Sequence, residues 1–195
     1  MKTLELKAQK RQNIGSKDAA SLRKNGMVPC VMYGKENTIH FAATEAELKK
    51  FIYSPAVYFV DVNLGDEHHT GVMREIQYHP LTDKPTHIDF LEISEAKKLR
   101  MELPVKVIGN SAGVRAGGKL LVNVRKLKVE ALPNQMPDFI ELDITSLNIG
   151  DKLRVSDLNV NGVTFLDPSN LAVAAVQMTR SAISAQQTAA DEKKK

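Results

Sequence analysis

Cysteine is nearly absent from this chain: Cys30 stands alone in 195 residues. One thiol allows no internal disulfide framework. Long apolar runs are missing too. None approaches the roughly 18 residues that a membrane-spanning helix needs. The opening stretch "MKTLELKAQKRQNIG" lacks the apolar block of a secretory signal. These absences point to a cytoplasmic protein without a membrane anchor. No repeat of convincing period is visible, and helical patterns are few.

Charge of both signs is present, but it is segregated. Residues 1–35 hold eight Lys/Arg against two acids, a net +6. Residues 36–94 hold four against ten, and residues 95–128 hold nine against two. Residues 129–180 hold three against seven. Two basic blocks are thus each followed by an acidic one. Blocks of one sign focus a field that attracts polyanions such as nucleic acid, although a solvated face has the same signature.

Most segments read as strands. Apolar and polar residues alternate in 3–9, 58–64, 87–93, 101–109, 119–132 and 138–144, as in half-buried strands. The apolar run 171–178 has strand length. Prolines and glycines punctuate the series. Two short helices are expected. "SKDAASLRKNG" would be capped by Ser16 and stopped by Gly26. "TEAELKKFI" carries a capping box of Thr44 and Glu47 and a buried stripe of Leu48, Phe51 and Ile52. The fold class is therefore mainly β with a few short helices. Polar "SEAKKLR" suggests a boundary, giving domains at 1–94 and 95–180. The tail 181–195 is small and charged, and reads as disordered.

"YHPLTDKPTHIDFLEI", residues 78–93, holds two histidines, two prolines and two aspartates. His68, His69, His79 and His87 raise the question of zinc, but no Cys pair accompanies them and the spacing is loose. Adjacent His68 and His69 suit a solvated hairpin tip. His87 and Asp89 share a strand face at i, i+2 and could form an acid–base pair. No obvious nucleophile or oxyanion turn joins them. "GVRAGGKL", 113–120, has phosphate-loop spacing, yet Leu120 stands where Ser or Thr must hold magnesium. A glycine-rich turn between strands is the better account. Cys30, in apolar "VPCVMYG", reads as a buried small hydrophobe.

Taken together, "GSKDAASLRKNGMVPCVMYG" and "REIQYHPLTDKPTHIDFLEI" resemble the bacterial ribosomal large-subunit protein L-twenty-five family. "LPVKVIGNSAGVRAGGKL", "MPDFIELDITSLNIGDKLRVSDL" and "VTFLDPSNLAVAAV" are similar to its long form, general stress protein CTC. The specific pairs are Gln77–His79–Pro80 and His87–Asp89–Phe90. The resemblance implies an N-terminal small β-barrel that binds 5S ribosomal RNA at internal loop E, a distorted helix read by shape and exposed edges. It also implies a C-terminal β domain. On that reading Arg11, Ser16, Lys17, Arg23 and Lys24 face the phosphate side. Tyr33 lies at the edge of the surface. Gln77, His79, His87 and Asp89 offer donors and acceptors to bases. The implied partners are 5S ribosomal RNA, the large subunit and neighbouring ribosomal proteins. No cofactor, metal or small-molecule substrate is implied.

The sequence departs from the family at "GSKDAASLR". Ser16 replaces the usual lysine, Ala20 and Ser21 stand where arginines are common, and Asp18 adds a negative charge. Two rival readings remain in view. One is a stress-linked RNA chaperone acting off the ribosome. The other is a metal-dependent hydrolase using His79, His87 and Asp89.

Overall fold

The computed structural model describes residues 1–34, 38–65 and 67–179. The expected tail, 181–195, lies outside the described residues. The chain divides into two compact units: Met1–Leu99 with Leu132–Asp138, and a second that starts with Arg100–Ala131 and resumes at Phe139.

The first unit is a closed six-stranded barrel in the order β1-β3-β2-β6-β5-β4. Its strands are β1 (Thr3–Lys10), β2 (Met27–Tyr33), β3 (Ile39–Thr44), β4 (Phe59–Asn63), β5 (His68–Tyr78) and β6 (Pro85–Glu92). Parallel pairing of β1 with β4, from Thr3↔Phe59 to Lys7↔Asn63, closes it and leaves no open edge. Alternation sends Leu6, Val60, Val62, Ile88 and Phe90 inward, where they are at most 1 % exposed. Phe41 and Phe90 meet at the centre with ring centroids 5.5 Å apart, a tilted aromatic pair.

Cys30 is fully buried in this core, as its apolar neighbours suggested. Burial pushes its thiol up to about 12. His68 and His69 do not form a hairpin tip; they begin β5, opposite Asn63 and Val62. The tip lies just before them, because β4 ends at Asn63.

Helix α1 (Ser16–Lys24) links β1 to β2. Ser16 is not its cap. Gly15 holds the N-cap position with no side-chain hydrogen bond, and its carbonyl accepts the first helical bond from Ala19 N at 3.1 Å. Glycine is an acceptable N-cap because its flexible backbone leaves the first N–H groups open to water. Gly26 stops the helix with φ 73°, a left-handed conformation that suits glycine. Helix α2 (Glu45–Ile52) buries Leu48 and Phe51. Thr44 Oγ1 accepts from Glu47 N at 3.4 Å, which is half of the expected box. The Glu47 carboxylate instead meets Lys50 Nζ at 3.0 Å.

The second unit holds a four-stranded sheet, β10-β7-β9-β12, and a three-stranded sheet, β11-β13-β8. The elements are β7 (Leu99–Ile108), α3 (Ala112–Arg115), β8 (Lys119–Val122), β9 (Lys126–Ala131), β10 (Ile140–Asp143), β11 (Lys152–Arg154), β12 (Val163–Phe165) and β13 (Ala172–Gln177). The expected single strand over 119–132 is two strands in different sheets. Asn123 makes the break: its N donates to Val173 O at 2.9 Å, and its Nδ2 donates to Ala172 O at 3.2 Å. The glycine-rich segment after β7 contains the one-turn helix α3, capped by Ser111. A Cβ on Gly113 would lie 2.6 Å from the Asn148 carbonyl carbon, so close backbone contact requires glycine there. A strand, not a helix, follows this segment, unlike the arrangement a nucleotide loop needs.

Candidate nucleic-acid interface

The expected site residues lie in the first unit, most of them on strands β5 and β6 and on helix α1. Strand β6 sends Ile88 and Phe90 into the core, so His87 and Asp89 face outward between them. Gln77 of β5 stands directly opposite His87, and Glu75 opposite Asp89. On its other side β6 pairs with β2, which places Val31 beside Asp89 and Tyr33 beside Leu91. Gln77, His87 and Asp89 therefore form one contiguous polar patch. Tyr33, at 36 % exposure, lies one outward position beyond it.

A bulge sets the β5 side of this patch. The register passes from Met73↔Phe90 to Glu75↔Asp89, leaving Arg74 as the extra residue. In an unbulged register Arg74 would oppose Asp89, and Glu75 and Gln77 would point into the barrel. Thr86 Oγ1 donates to Gln77 O at 3.1 Å, holding the two strands together beside the patch.

Asp89 is unusual within it. His87 Nδ1 lies 2.8 Å from Asp89 Oδ1, yet the geometry is not that of a hydrogen bond. Asp89 Oδ1 is buried with no hydrogen-bond partner. The contact is thus an attraction that exists when His87 is protonated.

His79 belongs to the loop joining β5 to β6. Its Nδ1 accepts from Leu81 N at 3.3 Å, and its backbone N donates to Lys84 O at 2.9 Å. The neutral ring therefore carries its proton on Nε2 and presents a donor to solvent. Asp83, with φ 52°, completes this turn.

Helix α1 contributes the cations. Arg23 Nε donates to Thr86 O at 3.0 Å, which fixes Arg23 next to His87. Lys24 is exposed beside it. Ser16 and Lys17 are exposed at the other end of the nine-residue helix, roughly 12 Å away at 1.5 Å per residue. Arg11 is placed differently from the rest. Its guanidinium is paired with Asp18, and its side chain is only 9 % exposed.

Sequence reasoning did not single out Glu75 and Thr86. Register brings Glu75 to the patch, and the backbone of Thr86 receives Arg23; neither has a motif of its own. His68 and His69 are occupied elsewhere. His69 Nδ1 is 3.3 Å from Glu92 Oε1, and His68 Nδ1 is 3.2 Å from Asp61 Oδ2. Among the described residues no three metal-ligating side chains gather.

Two cations of the basic block 95–128 have neighbours within the second unit. Arg100 meets Glu130 at 2.8 Å. Lys106 stands beside Glu141 in the ladder and 4.7 Å over the Phe139 ring.

Comparison with known proteins bears on both units. The ribosomal L25p family model matches residues 6–90. The model of the ribosomal protein TL5 C-terminal domain matches residues 98–180. A relative from Phocaeicola vulgatus, "Large ribosomal subunit protein bL25", is 41 % identical over 97 % of this chain and 99 % of its own. Relatives of the same name from Porphyromonas gingivalis and Bacteroides thetaiotaomicron are 38 % and 36 % identical over 93 % of this chain, and over 96 % and 95 % of theirs. The class is therefore that of a ribosomal protein, not an enzyme. The chain belongs to the ribosomal L25p family, in its long, two-domain form.

Proposed function

We propose that this protein is a component of the large ribosomal subunit that binds 5S ribosomal RNA at loop E through the outer face of β5 and β6. It works in the cytoplasm as part of the ribosome. The observation that carries the reading is the contiguity of Gln77, His87 and Asp89, with Arg23 anchored to Thr86 at their margin. Loop E and 5S ribosomal RNA come from the resemblance to the family.

The chemistry suits a distorted RNA helix. Gln77 offers both donor and acceptor groups, His87 a donor, and Asp89 a carboxylate acceptor. A carboxylate is repelled by phosphate, so Asp89 selects a donor such as a base amino group. Lys17, Arg23 and Lys24 supply phosphate contacts that set affinity and register. The patch thus discriminates, while the helix attracts.

The test is footprinting of 5S ribosomal RNA with the purified protein. Protection should centre on loop E. Protection elsewhere, or none at concentrations where the protein co-sediments with large subunits, would overturn the reading.

A further inference from the structure

Two side-chain polar contacts tie helix α1 to its surroundings. It has no buried residue; Asp18, Ala19 and Leu22 are only half-buried. It also lacks a side-chain N-cap. Nine residues without a buried apolar stripe do not make a stable helix alone. Its polar attachments lie near its two ends. Arg23 reaches Thr86 O from the last turn. In the first turn, Asp18 Oδ2 accepts from Arg11 Nε at 3.1 Å and from Arg11 Nη2 at 2.7 Å.

Arg11 is itself fixed to the barrel, because its backbone N donates to His40 O at 3.0 Å. Its side chain is 9 % exposed and that of Asp18 is 33 % exposed. A guanidinium so covered has little surface left for phosphate. Asp18, which looks adverse on an RNA-facing helix, becomes its necessary partner. Removing Asp18 strands Arg11 as a poorly solvated charge, and removing Arg11 leaves the Asp18 carboxylate without its partner.

We propose that Arg11 and Asp18 form a strut that docks α1 on the barrel and so presents Lys17, Arg23 and Lys24 to RNA. Both are positioning residues; neither meets the RNA. The inference rests on the RNA-binding reading above for its functional half. The docking half is independent of it.

The two roles for Arg11 predict opposite signs for one substitution. If Arg11 were a phosphate contact held back by its neighbour, Asp18→Asn would free it, remove a negative charge and tighten binding. As half of a strut, Asp18→Asn loosens the helix and weakens binding. The experiment measures hydrogen exchange of the α1 amides in the free protein and salt-dependent affinity for 5S ribosomal RNA. It compares the parent with Arg11→Met, Asp18→Asn and Asp18→Glu. The first two should lose α1 protection and bind roughly 3- to 10-fold more weakly, the scale of one partly covered ion pair. Their salt slopes should be shallower, because helix-borne phosphate contacts are lost. Asp18→Glu keeps the carboxylate and should retain most of both properties. Tighter binding by Asp18→Asn, or unchanged α1 protection in both Arg11→Met and Asp18→Asn, would overturn the strut. A parent that binds no RNA would sink the RNA reading alone, and α1 protection would still decide whether the strut exists.

Discussion

Gln77 stands directly opposite His87 across the β5–β6 ladder, and Arg23 is bonded to the main chain one residue before His87. A strand-borne polar pair and a helix-borne cation thus lie side by side, and on the proposed RNA-binding reading they should fail differently. Arg23→Ala should weaken binding to any RNA helix and lower the salt slope by about one unit or less. His87→Ala should cost about 1–3 kcal/mol on loop E RNA and little on a plain duplex. Titrations of both variants on both RNAs check this. Equal losses everywhere would remove the division of labour.

The barrel should stand without the second unit. Every barrel strand and its closing β1–β4 ladder lie within residues 3–92. Residues 1–99 should therefore fold cooperatively and keep most of the affinity for 5S ribosomal RNA. Circular dichroism melting and an RNA titration decide it. An unfolded fragment would show that residues 132–138, which also belong to the first unit, are indispensable.

Cys30 offers a pH signature with a definite sign. Burial raises its thiol to about 12, whereas an unfolded cysteine titrates near 8.5. Between those values the unfolded chain releases a proton that the folded chain keeps. Its contribution to stability is intact below about 8.5 and is lost as pH rises toward about 12. The urea midpoint of the parent should fall between pH 8 and pH 10 by more than that of Cys30→Ala. An identical fall in both proteins would mean the thiol is not held neutral.

How much of this was legible in the sequence depended on which face each strand shows to water. Strands β1, β4, β6 and β10 have one wet face, and their alternation gave them away. Strand β2 did not, because Val28, Pro29 and Cys30 are buried in succession and no alternation survives. Strand β5 was hidden by Gly71 and by the bulge at Arg74, which shifts the period midway. The polar patch was legible as residue types but not as a neighbourhood. Gln77 meets His87 through register, and Asp18 meets Arg11 through a helix–strand contact. Neither follows from local pattern.

The departures from the family on α1 yield the last prediction. Ser16, Ala20 and Ser21 stand where the family resemblance implies basic residues, and all three are exposed. The half-buried positions of the helix are Asp18, Ala19 and Leu22 instead. The substitutions Ser16→Lys, Ala20→Arg and Ser21→Arg therefore add charge without disturbing the docked side. Alanine and arginine are both good helix formers, and arginine is better than serine, so the helix should not weaken. Each new phosphate contact should release roughly one counterion and steepen the salt dependence. The triple variant should bind 5S ribosomal RNA more tightly than the parent at low salt, with a gain that shrinks as salt rises. Titrations of both proteins at two salt concentrations test this. No gain at low salt would mean that this face of α1 does not meet RNA, and that Lys17, Arg23 and Lys24 reach phosphate from another side of the helix.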